Sequence, residues 1–323
     1  MKIIFFYRNH KVGYSIKKVS DTLASGFNNI EKWEVPSERA TFCGIISNLW
    51  YVYKHRNKKG INHITGDIHY CMLALIGLKT VLTIHDASAY EMCQNPIKKI
   101  IIKYLWFVIP LKIAKKVVCI SEKTASSLKR FTNRNDIEVI GNAIDGSFKY
   151  IPKKLNTRCP NILMIGTAWN KNICTMLRAF EGLKCHIIII GNLTIQMRNM
   201  ISSLKLSVEN KQNLTDDEIA NEYINCDIVA FCSLYEGFGM PIIEGNMTGR
   251  VVITSNIEPL IEIGNDSVIY ANPHDFISIR NAYEQLLNNH NLYDDLVEKG
   301  IKNVQRFTLS QIVSQYKKIY ESL

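Results

Sequence analysis

The sequence predicts an α/β protein built from two doubly wound parallel sheets. Short apolar runs rich in β-branched residues alternate along the 323 residues with segments of helical periodicity, which is the alternation expected of βαβ units. The run HIIIIG at residues 186–191 is apolar at consecutive positions, as in parallel strands that are covered on both faces. A stretch with two prolines and several charges at residues 150–161 divides the chain into two halves of ordinary domain size.

Six strands are predicted in each half of the chain. In the first half they lie at residues 2–7, 33–35, 62–64, 80–84, 117–120 and 138–140. In the second half they lie at residues 162–165, 186–190, 207–208, 227–231, 251–254 and 268–269. Helices are predicted at residues 15–27 and 123–131, and an amphipathic helix at residues 309–320. Open sheets of this kind bind ligands beyond the carboxyl ends of their strands, so we expect the functional residues directly after strands.

The composition is typical of a globular protein, with 47% hydrophobic and 21% charged residues. The nine cysteines show no metal-like spacing, which predicts free thiols in a reducing compartment such as the cytoplasm. The apolar run after Lys2 is too short for a secretory signal, and no run approaches the ~20 apolar residues that span a bilayer. No nucleic-acid-binding module is recognisable, so nucleic acid is not an expected partner.

Positive charge is concentrated in the first half of the chain. Residues 1–150 carry 23 Lys and Arg against 11 Asp and Glu, whereas residues 151–323 carry 16 against 18. This asymmetry favours an anionic partner, such as a membrane surface or a phosphorylated acceptor, and a basic, aromatic helix predicted at residues 98–116 could lie on a membrane. A solvated lysine-rich surface and a core helix with a lysine rim explain the same features, so both interpretations stay open.

The most informative segment follows the strand predicted at residues 227–231. A glycine-rich turn that includes Gly239 leads into a helix, and Pro241 suits the first position of that helix. The free amides and the positive dipole end of such a helix start favour an anion. Glu236 and Glu244 flank the turn, where their carboxylates could accept charge-assisted hydrogen bonds from sugar and ribose hydroxyls.

Seven residues separate Glu236 from Glu244, and the segment EGFGMPIIE resembles the E-x7-E signature of the family 4 glycosyltransferases, which have the GT-B fold. The resemblance implies two Rossmann-like domains that face a cleft. The acceptor-binding domain would comprise residues 1–152 and the nucleotide-sugar-binding domain residues 153–306. A C-terminal helix at residues 307–323 would cross back to pack on the first domain.

The same resemblance implies roles for the residues of this segment. In the family the first glutamate contacts the donor sugar, which makes Glu236 a catalytic residue, and the second, here Glu244, binds the nucleotide ribose. The donor-binding residues implied here are Glu236, Gly237, Phe238, Gly239, Met240, Pro241 and Glu244. An ordinary strand–turn–helix with two surface glutamates is the alternative interpretation.

A second segment, from Gly166 to Asn172, opens a helix after the strand predicted at residues 162–165 and resembles the glycine-to-KN loop of the family. The resemblance implies that Gly166 and Lys171 contact the donor phosphates. Lys171 would also act in catalysis by neutralising the departing pyrophosphate. Thr167 stands near the place where many relatives carry an arginine, so the usual pair of cations is reduced to one.

Three further residues are assigned to the donor site by resemblance. Asn210 belongs to a segment that resembles the one framing the nucleobase, and Gly13 lies in a loop that resembles the glycine loop beside the donor phosphates, without its usual second glycine. His85 ends the strand predicted at residues 80–84 and resembles the active-site histidine near the donor sugar. A lone histidine is more often structural, which is the alternative for His85.

Acceptor binding is predicted for polar residues at two strand ends in the first half. Asp86 directly follows His85, and Asp67 and His69 lie in the polar cluster HITGDIHY after another strand. These side chains could contact acceptor hydroxyls. For Asp86, capping of a following helix is an alternative.

The resemblance implies a retaining transfer of a hexose-type sugar from a UDP- or GDP-sugar to a glycan or lipid-linked glycan, in bacterial surface polysaccharide (O-antigen or capsule) biosynthesis. It would take place in the cytoplasm or at the inner face of the plasma membrane, with neither a metal nor a cofactor, because Lys171 and helix amides would replace the metal. The alternatives are a nucleotide-sugar epimerase, a glycoside hydrolase that uses the two glutamates, and a non-enzymatic nucleotide-binding protein.

Overall fold

The structure, a computed structural model, describes residues 2–9 and 14–323. Gly13, which the sequence assigns to the donor site, lies outside the described residues. The chain divides into two compact units, Met1–Ala143 with Thr308–Leu323 and Ile144–Phe307. Within the described residues each unit contains one six-stranded sheet. All strand pairs are parallel, so the predicted pair of doubly wound α/β sheets is confirmed.

The first unit begins with alternating strands and helices. Its strands are β1 (Ile3–Tyr7), β2 (Ile30–Glu34), β3 (Ile61–Ile64), β4 (Lys79–Ile84), β5 (Lys116–Cys119) and β6 (Ile137–Val139). Its helices are α1 (Tyr14–Ser25), α2 (Phe42–His55), α3 (Ser88–Glu91), α4 (Pro96–Ile102), α5 (Ile109–Ile113) and α6 (Glu122–Leu128). A 3-10 segment (His69–Leu75) follows β3, and a π-helical segment (Lys103–Val108) joins α4 to α5.

Alternate side chains of β1 show why this sheet needs helices on both faces. Ile4 and Phe6 belong to one core cluster and Ile3, Phe5 and Tyr7 to another, because successive residues of a strand point to opposite faces. The first cluster includes buried residues of α2, α4 and α5, and the second includes residues of α1. The sheet order is β2-β1-β3-β4-β5-β6.

The second unit repeats the same architecture. Its strands are β7 (Asn161–Ile165), β8 (His186–Ile190), β9 (Val208–Lys211), β10 (Ile228–Phe231), β11 (Val251–Ser255) and β12 (Ile269–Ala271). Its helices are α7 (Ile173–Ala179), α8 (Ile195–Ser203), α9 (Asp216–Asn225), α10 (Met240–Thr248), α11 (Leu260–Gly264), α12 (Phe276–Asn288) and α13 (His290–Val304). A capping box of Thr215 and Glu218 opens α9. Gly249 ends α10 with φ 75°, a left-handed conformation that glycine adopts without strain.

The last helix, α14 (Leu309–Glu321), returns to the first unit, as the fold class predicted. Its buried residues pack with β1, β3 and β4 in the second core cluster of that unit. A hydrogen-bonded chain supplements this packing: His63 contacts the Tyr320 hydroxyl at 2.9 Å and the Thr83 hydroxyl at 2.7 Å, and Thr83 contacts the Tyr316 hydroxyl at 3.1 Å. Burial lowers the pKa of His63 to about 3, so the imidazole joins this chain as a neutral group.

Candidate active site

The sheet order of the second unit places two of the predicted loops side by side. The order is β12-β11-β10-β7-β8-β9, so the chain leaves β7 toward β8 and later returns to pair β10 with the other edge of β7. Loops that follow strands on either side of such a reversal diverge, and ligands bind there in open α/β sheets. The glycine-to-KN loop, Gly166 to Asn172, follows β7, and the segment with Glu236 follows β10.

Lys171 and Glu236 form an ion pair between these two loops. Lys171 Nζ lies 2.7 Å from Glu236 Oε1, and the two side chains are 22% and 13% exposed. The ammonium group also lies 4.9 Å from the ring centre of Phe231, the last residue of β10, a cation–π contact. The structure therefore brings together the two residues that the sequence predicts for the departing phosphate and the donor sugar.

Gly166 makes room for the lysine side chain. Its φ of 81° lies in the left-handed region, and a Cβ at this position would approach the Lys171 side chain to 3.2 Å. A larger residue would therefore be strained in its backbone and would crowd the path by which Lys171 reaches Glu236. In the structure Gly166 therefore supports the position of the Lys171 side chain. Its contact with the donor phosphates stays a prediction.

Two asparagines beside Lys171 hold the loops together, and neither is among the site residues predicted from the sequence. Asn170 donates from Nδ2 to Tyr235 O at 2.9 Å and to Glu236 Oε1 at 3.3 Å. Asn172 donates to Cys232 O at 2.9 Å and to Pro273 O at 2.6 Å, and it adopts φ 57°. Asparagine is among the few residues that tolerate this conformation. The pattern Asn-Lys-Asn after a strand-ending glycine was the available signal.

The start of α10 has the geometry of an anion-binding helix terminus. Gly239 occupies the N-cap position with φ 120°, a conformation close to glycine-only space. Within the part of the chain that the structure describes, no side chain caps this helix. Pro241 has no N–H, and the Ile242 amide already donates to Gly239 O at 3.0 Å. The helix dipole and the remaining first-turn amides are therefore what this helix start offers an anion.

The side chains at this helix start divide into buried and half-buried ones. Phe238 is 3% exposed and packs edge-on against Phe307 at 5.5 Å between ring centres. Pro241 is also buried, whereas Gly237 and Met240 are half-buried. Phe238 and Pro241 therefore shape the turn from the core side, and any donor contact of Phe238 falls to its backbone.

Glu244 lies on α10 and is held by a buried tyrosine. The hydroxyl of Tyr223, on α9, donates to Glu244 Oε2. Tyr223 is fully buried, and burial followed by the charge of Glu244 raises its pKa well above the usual value, so the phenol keeps its proton and remains a donor. No sequence pattern pointed to Tyr223, because its contact with Glu244 joins two helices.

Asn210 is committed to its own sheet edge. Its Nδ2 donates to Ile189 O at 2.9 Å and to Gly191 O at 2.8 Å, and its Oδ1 accepts from Gln212 at 3.0 Å. These contacts bind β9 to the end of β8. Near that end, a Cβ on Gly191 would approach Thr167 Oγ1 to 2.9 Å, so the threonine in place of the usual arginine packs close to the backbone. The side chain of Asn210 is better described as a structural clamp than as a nucleobase contact.

In the first unit His85 lies at the carboxyl end of β4 and is 8% exposed. Its Nε2 contacts Thr65 O at 2.8 Å. A carbonyl oxygen only accepts, so Nε2 carries the proton and Nδ1 is left as an acceptor. Burial is the main cause that lowers the pKa of His85. The side chain is thus a neutral imidazole in one fixed tautomer, suited to hydrogen bonding with a hydroxyl rather than to carrying charge.

The predicted acceptor residues have separate environments. Asp86 accepts from the Ser88 amide at 2.7 Å and from its hydroxyl at 2.5 Å, a local contact with the first residue of α3. The N-cap of that helix is Ala87, without a side-chain cap hydrogen bond, so the capping alternative is not confirmed. Asp67 accepts from Trp106 Nε1 at 2.9 Å and from Arg8 Nη1 at 3.3 Å, and burial raises its pKa to about 6.

His69 lies in the core of the first unit. It is 2% exposed, and its Nδ1 contacts Trp106 O at 2.8 Å. Burial lowers its pKa to about 4. A side chain with so little surface offers nothing to a ligand, so His69 is better described as part of the core than as an acceptor contact.

Comparisons with known proteins match both halves of the chain. The model "Glycosyltransferase Family 4" matches residues 32–148, and the model "Glycosyl transferases group 1" matches residues 151–303. The crystal structure of Anabaena Alr3699/HepE in complex with UDP has a TM-score of 0.81 at 15% identity, with all of both chains covered. This likeness establishes the fold.

Two curated relatives are named as mannosyltransferases. The serotype-specific mannosyltransferase WbdA of Escherichia coli is 35% identical over 96 residues, which are 29% of this chain and only 12% of WbdA. The O-antigen chain mannosyltransferase RfbU of Salmonella typhimurium is 25% identical over 254 residues, which cover 74% of this chain and 70% of RfbU. With two family models over residues 32–148 and 151–303 and the matching fold, the chain belongs to the family 4 glycosyltransferases of the GT-B fold.

Proposed function

We propose that the chain transfers a hexose-type sugar, with retention of the anomeric configuration, from a UDP- or GDP-sugar to a glycan or lipid-linked glycan of a bacterial surface polysaccharide. The observation that carries the proposal is the Lys171–Glu236 pair at 2.7 Å, which follows two adjacent strands. A donor diphosphate at the start of α10 would find amides, a helix dipole and one cation there.

A diphosphate carries more negative charge than a carboxylate, so it would compete with Glu236 for the Lys171 ammonium group. The exchange would release Glu236 Oε1 to accept a hydrogen bond from a sugar hydroxyl. Donor phosphate binding and sugar orientation would then be coupled through one lysine. This arrangement supplies the positive charge from the protein, and neither a metal nor a cofactor is part of the proposal.

In the proposed reaction the bond from the anomeric carbon to the diphosphate oxygen breaks, and a bond to the acceptor oxygen forms on the same face of the sugar. The leaving diphosphate oxygen takes the proton of the acceptor hydroxyl. Catalysis would rest on positioning and on stabilisation of the leaving group by Lys171. His85 would offer its unprotonated Nδ1 to a donor sugar hydroxyl.

The choice of donor is open to a direct test. The relatives WbdA and RfbU are named mannosyltransferases, and HepE was also crystallised with UDP-glucose, so GDP-mannose and UDP-glucose stand first in a panel of UDP- and GDP-sugars. A bound donor raises the unfolding temperature. Transfer to a lipid-linked glycan, followed by determination of the anomeric configuration, tests retention. Turnover of the donor without acceptor would favour the epimerase alternative, and binding without turnover a nucleotide-binding protein.

Substitution of the two glutamates separates their roles. Glu244→Ala is expected to weaken donor binding about 10-fold or more, because a hydrogen bond to a charged group contributes about 1.5–3 kcal/mol. Glu236→Ala should mainly lower kcat. Glu298→Ala is the matched control, because Glu298 is 70% exposed and its salt bridge, among the residues that the structure describes, is to Lys302 one helical turn away. Wild-type binding and turnover in both site variants would contradict the assignment.

The proposal places the reaction in the cytoplasm. All nine cysteines are free thiols, which agrees with a reducing compartment. Trapping of any disulfide among them in protein isolated from cells under alkylating conditions would contradict this placement.

A further inference from the structure

Helix α2 carries a row of large apolar side chains that face solvent. Phe42 is 79% exposed, Ile46 50%, Trp50 57% and Tyr53 48%. Their spacing of four, four and three residues keeps all of them on one side of the helix, along about 16 Å of its axis. We call these four residues the α2 stripe. The buried residues of the same helix, Gly44, Asn48 and Val52, occupy the opposite side.

A second row lies on α4 and the start of the π-helical segment. Its exposed members follow helical spacing and are Ile97 (71%), Ile100 (58%), Ile101 (48%) and Tyr104 (48%). Val52 of α2 and Ile102 of α4 belong to the same buried cluster. Both helices therefore cover the same face of the first sheet, and that face presents two apolar rows to its surroundings. Isolated exposed apolar residues are ordinary, but grouped ones mark an interaction surface.

The two segments that carry these rows contain charge of one sign. Residues 39–66 contain no Asp or Glu, and their basic residues are Arg39, Lys54, Arg56, Lys58 and Lys59. Residues 92–121 also contain no Asp or Glu, and their basic residues are Lys98, Lys99, Lys103, Lys112, Lys115 and Lys116. Apolar and aromatic side chains bordered by Lys and Arg are typical of helices that lie in the interface of an anionic bilayer.

Contacts at the end of α2 show how the two kinds of side chain are combined. Trp50 and Tyr53 stack with their ring centres 5.8 Å apart. Lys54 Nζ lies 5.0 Å from the Trp50 ring, and the Arg56 guanidinium lies 3.4 Å from the Tyr53 ring. Amphipathic rings with a cation alongside suit the depth where lipid headgroups meet acyl chains.

We propose that the α2 stripe is a membrane-docking surface that inserts into the interfacial region of an anionic bilayer, with the row on α4, on the same face of the first sheet, as a second contact. Among the described residues no helix is long and apolar enough to cross a membrane, so this contact would be peripheral. A second copy of the chain is a less favourable occupant, because it would bring two basic rims together without any acidic residue in residues 39–66 to oppose them. The proposal does not depend on the sugar-transfer assignment, because its test uses lipid alone.

The test is co-sedimentation of the full chain with vesicles of phosphatidylglycerol and phosphatidylethanolamine, compared with vesicles of phosphatidylcholine. Wild-type protein should bind the anionic vesicles and lose that binding as salt is raised. Phe42→Ser combined with Trp50→Ser should weaken binding about tenfold or more, because two apolar side chains no longer enter the lipid. The double variant should unfold at the wild-type temperature, since both side chains are exposed.

A matched control uses exposed isoleucines of the second unit. Ile195, on α8, is 78% exposed and Ile277, on α12, is 53% exposed, and residues 151–323 carry a small net negative charge. Ile195→Ser combined with Ile277→Ser should leave vesicle binding unchanged. Equal loss in both double variants would overturn the proposal, because it would show a general effect of surface hydrophobicity.

Tryptophan fluorescence provides a second readout. Trp50 and Trp169 are the strongly exposed tryptophans, at 57% and 63%. Brominated lipid should quench the Trp169→Phe protein, which retains Trp50, more strongly than the Trp50→Phe protein. Absence of binding to anionic vesicles, or equal quenching of both proteins, would overturn the proposal. So would a dimer in sedimentation equilibrium that Phe42→Ser with Trp50→Ser dissociates, which would assign the stripe to a second copy.

Discussion

The substitution Tyr223→Phe tests whether a buried phenol positions the carboxylate that we assign to the donor ribose. Tyr223 is fully buried, its ring packs edge-on against Phe148 at 5.3 Å, and its hydroxyl donates to Glu244 Oε2. Phenylalanine keeps the ring and its packing and removes only the hydroxyl. The change therefore isolates one hydrogen bond from the rest of the site.

The magnitude follows from the kind of hydrogen bond that is lost. A hydrogen bond to a charged group contributes about 1.5–3 kcal/mol, and Glu244 is half-buried, so we take the lower end. A loss of about 1.5 kcal/mol lowers the unfolding temperature by about 3–6 °C for a unit of this size. If Glu244 binds the ribose, the loss of its orienting partner should also raise the Kd for the donor nucleotide about tenfold.

The assay combines thermal unfolding with calorimetric titration of UDP and GDP, and Tyr283→Phe is the control. Tyr283 is 1% exposed, and its ring packs edge-on against Phe180 at 5.3 Å. Within the described residues its hydroxyl has no hydrogen-bond partner, so removal should leave stability equal or higher. The reasoning is refuted if Tyr223→Phe matches wild type in stability and nucleotide affinity, or if the two variants lose equal stability.

Three other predictions concern stability. Asp67 has a pKa of about 6 in the folded protein against an ordinary 3.8, so its contribution to stability falls as pH rises from about 4 through 6. The unfolding temperature of Asp67→Asn should therefore rise relative to wild type between pH 4.5 and pH 7.5. A difference that stays constant over this range would contradict the prediction. Asp227 is 1% exposed, and its Oδ1 lies 3.1 Å from Lys153 Nζ. Asp227→Ala should therefore lower the free energy of unfolding by about 3 kcal/mol. In the same urea unfolding experiment Glu298→Ala, which removes an exposed pair, should lower it by no more than about 0.5 kcal/mol. Gly239→Ala should cost about 1–3 kcal/mol, because φ is 120° and the new Cβ would approach Leu260 to 2.7 Å; unchanged stability would refute the strain.

The central strands were predictable because burial on both faces leaves little freedom in their composition. All five residues from His186 to Ile190 form β8 as predicted, with an apolar side chain at four of them. The edge strand β2 was predicted at residues 33–35 but runs from Ile30 to Glu34. Its side chains are mostly half-buried, so polar residues are tolerated and the hydrophobic pattern does not mark its limits.

Local sequence rules also missed the interruption in the basic, aromatic helix predicted at residues 98–116. The structure replaces one continuous helix with α4, a π-helical segment and α5. In the middle segment Trp106 and Phe107 are buried in the first core cluster, and Trp106 Nε1 reaches Asp67 at 2.9 Å. The backbone follows these tertiary contacts rather than any propensity of residues 103–108.

The two motifs of the candidate site were visible in the sequence because each is local: a glycine and a lysine after one strand, and two glutamates around one turn. The contact between them was not, because Lys171 and Glu236 are 65 residues apart and meet only when β7 pairs with β10. The ion pair at 2.7 Å lies between loops that other hydrogen bonds also join. Asn170 and Asn172 donate to Tyr235, Glu236 and Cys232 on the opposite loop. The asparagines on either side of the lysine therefore fix the position of its charge, and the proposed exchange between Glu236 and a diphosphate requires that fixed position.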